Sequence, residues 1–254
     1  MSDVTSFIEE PPPARPAAAV IPAAGLGLRL GPGAPKALRP LGGTPMLVHA
    51  VRAMARARAV ALVVVVAPPE QVTLVRSLLD EHPPPPAVEQ LVVAGGATRQ
   101  ESVRLGLAAL PESVEVVLVH DAARPLVPVE TVDAVAAAVR SGAPAVVPAL
   151  PVTDTVKAIA KPGAPGEPEP VVATPERALL RAVQTPQGFD RATLLAAHRA
   201  ATSDLATDDA GLVERLGVEV VLVPGHEEAF KVTRPLDLLL AEAVLARRRI
   251  NDGY

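Results

Sequence analysis

Between Val20 and Lys36 the chain reads VIPAAGLGLRLGPGAPK: an apolar run, a loop of small residues, then two cations, Arg29 and Lys36. A loop without bulky side chains lets backbone N–H groups approach phosphate oxygens closely. Arg29 and Lys36 add positive charge beside that cradle, an arrangement suited to a nucleoside triphosphate. A plain tight turn would use the same glycines. The loop is not a Walker A motif, because GxxxxGK[ST] is absent. Nor is it a dinucleotide fingerprint, since Gly25, Gly27 and Gly31 are one residue too widely spaced.

Three further clusters carry chemistry. His120-Asp121-Ala122-Ala123-Arg124-Pro125 closes an apolar strand, at the end where open α/β sheets bind ligands. Asp121 could hold a metal or a ribose hydroxyl, and Arg124 could fork onto a phosphate; an Asp–Arg turn pair is the structural alternative. Gly95-Gly96-Ala97-Thr98-Arg99-Gln100-Glu101-Ser102 also follows a strand, and it places Arg99 and Ser102 on a first helical turn, near the positive end of the dipole. An ordinary strand-to-helix turn would look alike. In Phe230-Lys231-Val232-Thr233-Arg234-Pro235, Lys231 falls between a strand and the last helix, though a solvated lysine reads the same way. His49, His82, His198 and His226 lack ligand spacing and read as surface or structural residues.

The elements that must position these groups follow from the pattern of apolar residues. Runs at 17–22, 59–67, 88–96, 114–120 and 143–150 are apolar throughout, as strands buried on both faces are. Segments of helical period alternate with them: Pro45–Ala57, Glu70–Glu81, Thr98–Leu110 and Val129–Arg140. This rhythm predicts an α/β fold, a Rossmann-like, mostly parallel sheet with helices on both faces. Thr44-Pro45 reads as a helix start with Pro at the first helical position. Thr98 with Glu101 reads as a capping box, and Pro83–Pro86 as a break. Residues 1 to about 16 read as a disordered, acidic and proline-broken tail, leaving 17–250 as a single domain.

After Leu150 the rhythm changes. PVTDTVKAIA alternates like a strand, KPGAPGEPEP suits neither helix nor ladder, and VVAT is extended again. We read an inserted β-hairpin arm over about 151–174, which must either pair with a partner subunit or fold back on its own domain. Helical pattern returns at Pro175–Arg181, Arg191–Ala201 and Asp208–Leu216, then a strand at 218–225 and a closing helix from Pro235 to about Arg249.

Composition sets limits. The 254 residues are 49% apolar and 2% aromatic, so the core must be built from Val, Leu, Ala and Ile. The formal charge of −4 argues against a sequence-independent grip on nucleic acid. Few aromatics argue against stacking on single-stranded bases. With no cysteine, disulfides, thiolate metal sites and Cys nucleophiles are excluded. The N-terminus does not read as a signal peptide. The run from Val60 to Ala67 is far short of the roughly 20 residues of a membrane span. The expectation is a soluble, cytoplasmic protein.

The 20–36 loop, with Arg29 and Pro35-Lys36, resembles the phosphate loop of nucleotidyltransferases akin to sugar-nucleotide pyrophosphorylases. PAAGLGLRL…APK, GGATRQESV, HDAARP, TDTVK, QTPQGF, TDDA and FKVTRP together resemble the 2-C-methyl-D-erythritol 4-phosphate cytidylyltransferase family, over about residues 17–240. The resemblance implies transfer of CMP from CTP to the methylerythritol phosphate, releasing pyrophosphate, with Mg²⁺ or another divalent cation. It implies that Ala23, Ala24, Gly25, Gly96, Arg99, Ser102, Asp121 and Ala122 bind CTP. Arg29, Lys36, Arg177 and Lys231 would be catalytic. Asp121, Arg124, Thr155, Arg177, Thr207 and Lys231 would hold the polyol phosphate, and Asp121 would be the metal residue, with the ion held mainly by the CTP phosphates. Thr155 and Arg177 would reach the partner's site in a homodimer joined through the arm. Two positions depart from the family pattern: Ala37 stands where relatives often carry Gln, and Ala97 where many carry Asp. The alternatives are a ribitol 5-phosphate cytidylyltransferase, with the same chemistry on another alcohol, and a non-catalytic nucleotide-binding regulator. A dehydrogenase lacks its glycine spacing here.

Overall fold

The computed structural model describes residues 17–24, 35–83, 85, 88–164, 166–202 and 206–251. Gly25, Arg29 and the N-terminal tail of the sequence reading lie outside them. The described chain opens with β1 (Ala17–Pro22), then a small ribbon of β2 (Pro40–Leu41) and β3 (Thr44–Pro45), then α1 (Met46–Ala55). Next come β4 (Val60–Ala67), α2 (Val72–Asp80), β5 (Glu89–Ala94), α3 (Arg99–Ala108), β6 (Val116–Val119), α4 (Val129–Arg140) and β7 (Ala145–Pro151). After these lie β8 (Ala158–Ile159), β9 (Val171–Ala173), β10 (Arg181–Val183), β11 (Gln187–Asp190), α5 (Arg191–Ala200), α6 (Asp209–Arg215), β12 (Val221–Pro224) and α7 (Pro235–Asn251).

Among the described residues, eight strands form the main sheet. On one side of it β6, β1, β4 and β5 lie parallel in that order, as the βαβ rhythm requires. β12 runs parallel to β7. Between the two parallel sets runs an antiparallel strand: β11 pairs with β6 on one side and β7 on the other. β10 continues antiparallel along the C-terminal half of β7. The sheet is therefore mixed, with most pairings parallel.

Burial explains why the strand runs are apolar at every position. Ala17, Ala19 and Ile21 of β1 join the core under α1, α2 and α4, while Ala18 and Val20 join the core under α3, α5 and α6. Small side chains let the layers approach. A Cβ at Gly106 of α3 would sit 2.6 Å from Val20 Cγ1, and one at Gly188 of β11 would sit 2.5 Å from Val135 Cγ1 of α4. No real Cβ tolerates such contact, so glycine is required at both positions for the helices to lie directly on the strands.

Several local features differ from the sequence expectation. Pro45 caps α1 rather than occupying its first turn, because its ψ of 141° is extended. Thr98 caps α3 by accepting from Glu101 N, but Glu101 Oε2 accepts from Ala97 N, one residue before the reciprocal position. The helix expected over Pro175–Arg181 is one 3-10 turn, Arg177–Leu179, after which Arg181 enters β10. The hairpin beyond Leu150 is present but short: β8 and β9 pair antiparallel as a separate two-stranded sheet.

Candidate active site

The C-terminal ends of β1, β5 and β6 converge on a cavity of about 270 Å³. From β1 come Ala23 and Ala24; from the β5–α3 turn come Gly96, Ala97, Arg99 and Ser102; from the turn after β6 come Asp121 and Ala122. Lys36 reaches it from the loop before α1, and Lys231 from the segment before α7. The sequence reading placed all of these at the site except Ala97, which it noted only as a departure from the family pattern. Residues far apart in the chain meet here because crossovers bring successive strand ends to one edge.

Asp121 is the centre of the charge pattern. Lys231 Nζ donates to its Oδ2 at 2.6 Å, and Arg99 Nε stands 3.5 Å from its Oδ1. Burial alone would raise the Asp121 pKa, but Arg99, Lys231 and Arg124 outweigh it and hold the carboxyl well below the usual carboxylate range. Asp121 is ionised at any pH near neutral, and it keeps two cations facing the cavity.

Behind Arg99 stands a second carboxylate that the sequence reading passed over. Asp209, 1% exposed, faces Arg99 Nη1 with its Oδ2 at 2.8 Å, and its Oδ1 accepts from His198 Nε2 at 3.0 Å. The Arg99 charge therefore stands directly against this carboxylate. Burial opposes ionisation of Asp209; the His198 bond and the Arg99 charge overcome it and lower its pKa. For Arg99, burial works against the charge, and Asp209 and then Asp121 more than restore it. Lys231, Asp121, Arg99, Asp209 and His198 thus form one line from the cavity to the interior. The TDDA motif was the available signal, but its partner lies on α3, and nothing in the spacing links the two.

A second network fixes the backbone at Asp121. Asp121 N donates to Thr185 Oγ1 at 3.0 Å, Thr185 Oγ1 donates to His120 Nδ1 at 3.0 Å, and His120 Nε2 donates to Arg124 O at 3.1 Å. This pattern needs a neutral imidazole with its proton on Nε2. Burial is the dominant cause and pushes the His120 pKa down to about 4. An unfolded His titrates near 6.5, so the stability this neutral ring contributes is whole above about 6.5 and is lost as pH falls toward 4. We expect unfolding free energy from urea titrations to drop by about 3 kcal/mol between pH 7 and 4 from this residue alone. His120→Gln should flatten that decline; an equal decline in both proteins would show that His120 is not its source. Below about 3.8 the depressed Asp121 adds a further loss.

Four residues assigned by the family resemblance do not line this cavity. The Arg124 guanidinium donates to Ala229 O at 2.6 Å and Val183 O at 3.2 Å, tying the turn after β6 to β10 and to the segment that carries Lys231. Two of its N–H groups thus meet carbonyls, while its buried Nε has no partner among the described residues. Arg177 donates to Thr153 O on the arm, where Thr155 is also exposed. Thr207 is exposed just before α6.

The donor set for a metal is thin. Among the described residues no three His, Asp or Glu side chains cluster as metal ligands. Both Asp121 oxygens face cations. The protein side chains present do not fit a metal held by the protein, and Asp121 serves Arg99 and Lys231 instead.

Residues 17–247 match the family described as 2-C-methyl-D-erythritol 4-phosphate cytidylyltransferase. A Streptomyces coelicolor protein of that name is 74% identical over 242 residues, covering 95% of this chain and 89% of its own. A Frankia casuarinae protein of the same name is 57% identical over 231 residues, covering 91% and 81%. The fold also matches the crystal structure of the Thermus thermophilus enzyme of that name, with TM-score 0.70 and 39% identity over 90% of this chain and 98% of that one. The 4-diphosphocytidyl-2C-methyl-D-erythritol synthase of Anaerococcus prevotii superposes with TM-score 0.76 at 28% identity, covering 92% and 97%. The chain, a nucleotidyltransferase by fold, belongs to the 2-C-methyl-D-erythritol 4-phosphate cytidylyltransferase family.

Proposed function

We propose that this chain performs its family's reaction, transferring CMP from CTP to 2-C-methyl-D-erythritol 4-phosphate with release of pyrophosphate. The observation that carries this reading is the convergence of Lys36, Arg99 and Lys231 on one cavity whose lining, among the described residues, holds a single acid, Asp121. The acceptor's phosphate is already an anion near neutral pH, so no strong general base is needed. The obstacle is repulsion between that anion and the triphosphate. Fixed positive charge in a partly enclosed site removes it, and positioning supplies the rest. The acceptor oxygen attacks the α-phosphorus in line while pyrophosphate departs on the opposite side.

In this reading Ala23, Ala24, Gly96 and Ser102 wall the cytosine, with Gly25 of the preceding loop. Ser102 Oγ accepts from Gly96 N at 3.2 Å, which supports a wall of fixed shape. Asp121 and Ala122 face the ribose and reacting phosphates. Lys36 and Arg29 meet the triphosphate, and Lys231 holds the acceptor phosphate. A divalent ion such as Mg²⁺ enters with the CTP phosphates.

We also propose that the chain dimerises through the arm, bringing Thr155 and Arg177 to the partner's cavity. Support comes from exposed apolar residues on and beside the arm: Val171 at 54%, Val172 at 60%, Leu179 at 78% and Val183 at 46%. Contact with a partner subunit would cover these side chains. Val172→Asp with Leu179→Asp should convert the protein to monomers in sedimentation and depress turnover. Unchanged sedimentation would refute the arm as the interface. Among the described residues no helix is long and apolar enough to cross a membrane, which suits the cytoplasmic place we propose.

The test is pyrophosphate release from CTP with Mg²⁺, offering methylerythritol phosphate and ribitol 5-phosphate separately. Release with the first alone supports the reading. Release with the second alone moves the acceptor assignment, and CTP binding without release from either would make the protein a regulator.

A further inference from the structure

A second, larger cavity lies away from the catalytic one, between α1, α7 and the segment that leads into α4, with a volume of about 890 Å³. Its walls carry Arg52 from α1, Arg56 from the C-cap of that helix, and Arg248 and Arg249 from α7. Two acids share the lining. Glu228 is engaged by Arg247 and Arg248, and Arg248 also donates to Leu126 O at 2.7 Å. Glu130 is exposed and forms no ion pair among the described residues. Arg52 and Arg56 likewise have no acidic partner among the described residues, and the polar contact of Arg249 is to Gly42 O at 3.3 Å.

The convergence is felt at His49, which lines the same cavity and bonds Leu41 O at 2.9 Å. Burial is the main cause that lowers its pKa, and the charges of Arg52, Arg249 and Arg56 lower it further. Three guanidiniums from two helices therefore act on one point. His49, Arg52 and the C-cap residue Arg56 follow one face of α1 at helical spacing, where like charges at i and i+4 destabilise the helix. The negative end of the α1 dipole offsets part of that cost for Arg52 and Arg56. Arg249 lies in the last turn of α7, whose own dipole offsets part of its cost in the same way. Charge repulsion of this kind is relieved by an anion, and guanidinium forks match phosphate oxygens.

We propose that this cavity is a second anion site, for a small molecule bearing a phosphate or diphosphate group, held chiefly by Arg52, Arg56 and Arg249. Its lining includes His226 and Glu228, on the segment that leads to Lys231.

Inorganic pyrophosphate is the probe, followed by equilibrium dialysis of the full chain. The wild type should bind two equivalents. Arg52→Glu/Arg56→Glu should weaken one by roughly tenfold to a hundredfold, leaving the other and CTP turnover intact. Lys36→Ala/Lys231→Ala should lose the other equivalent instead. One equivalent in the wild type, or two undiminished in Arg52→Glu/Arg56→Glu, would overturn the proposal. Neither result bears on whether CTP is the substrate, since the two sites are lost in different variants.

Discussion

Lys231→Ala should lower turnover by about 10²–10³-fold, equivalent to about 3–4 kcal/mol of barrier, in a protein that still folds. The Lys231 side chain is 40% exposed, so its ion pair with Asp121 contributes little to stability. Its effect lies in the site. Nζ stands 2.6 Å from Asp121 Oδ2 and carries positive charge at the cavity wall. Without it Asp121 keeps Arg99 on one side, and the cavity loses a cation at the place where two anionic phosphates must meet. The deficit should appear in kcat rather than only in KM, because repulsion peaks as the acceptor closes on the α-phosphorus. Steady-state pyrophosphate release with circular dichroism as the folding control checks it. Near-normal kcat would remove Lys231 from the mechanism.

Asp209 should matter in a different way. Asp209→Ala leaves Arg99, whose side chain is 33% exposed, without its closest carboxylate, and strands His198 in the interior. Breaking a buried pair costs about 3–5 kcal/mol; Arg99's partial exposure places this case near about 3 kcal/mol. Asp209→Asn separates stability from positioning. An amide oxygen still accepts from His198, but the charge that holds the guanidinium is gone. We expect the Asn variant to fold and to raise the KM for CTP about tenfold with a smaller change in kcat. Combining it with Arg99→Ala should add little, because both changes disable the same guanidinium. An unchanged KM in the Asn variant, or full additivity with Arg99→Ala, would show that Asp209 does not act through Arg99.

The parallel half of the sheet was legible because its strands are buried on both faces and so are apolar at every position, as in β4 and β6. The loops at their ends were legible as chemistry, since Arg99, Asp121 and Lys231 each follow a strand and point to one edge. β11 was not. Gln187-Gly188-Phe189-Asp190 has neither a β-branched run nor alternation, and its Gln187 is buried for the sake of Asp208 and Ala210 N rather than for hydrophobicity. The Asp209–Arg99 link was also invisible. It joins α6 to α3 through a three-dimensional neighbourhood that no local period encodes. Arg124 shows a related limit: an arginine in HDAARP suits a phosphate, and only the fold reveals that two of its N–H groups meet the carbonyls of Ala229 and Val183.

β11 has a consequence for how the protein is made. Until Gln187–Asp190 has left the ribosome, β6 has no neighbour on one side, and β7 has nothing to connect it to β1 and β6. A nascent chain that already holds β1, β4, β5 and β6 therefore presents an unpaired, Val-rich margin to other chains. Inserting one late antiparallel strand both caps that margin and welds the two parallel sets together. Truncation between β7 and β11 should yield insoluble chains, whereas the intact chain closes the gap as soon as the strand emerges.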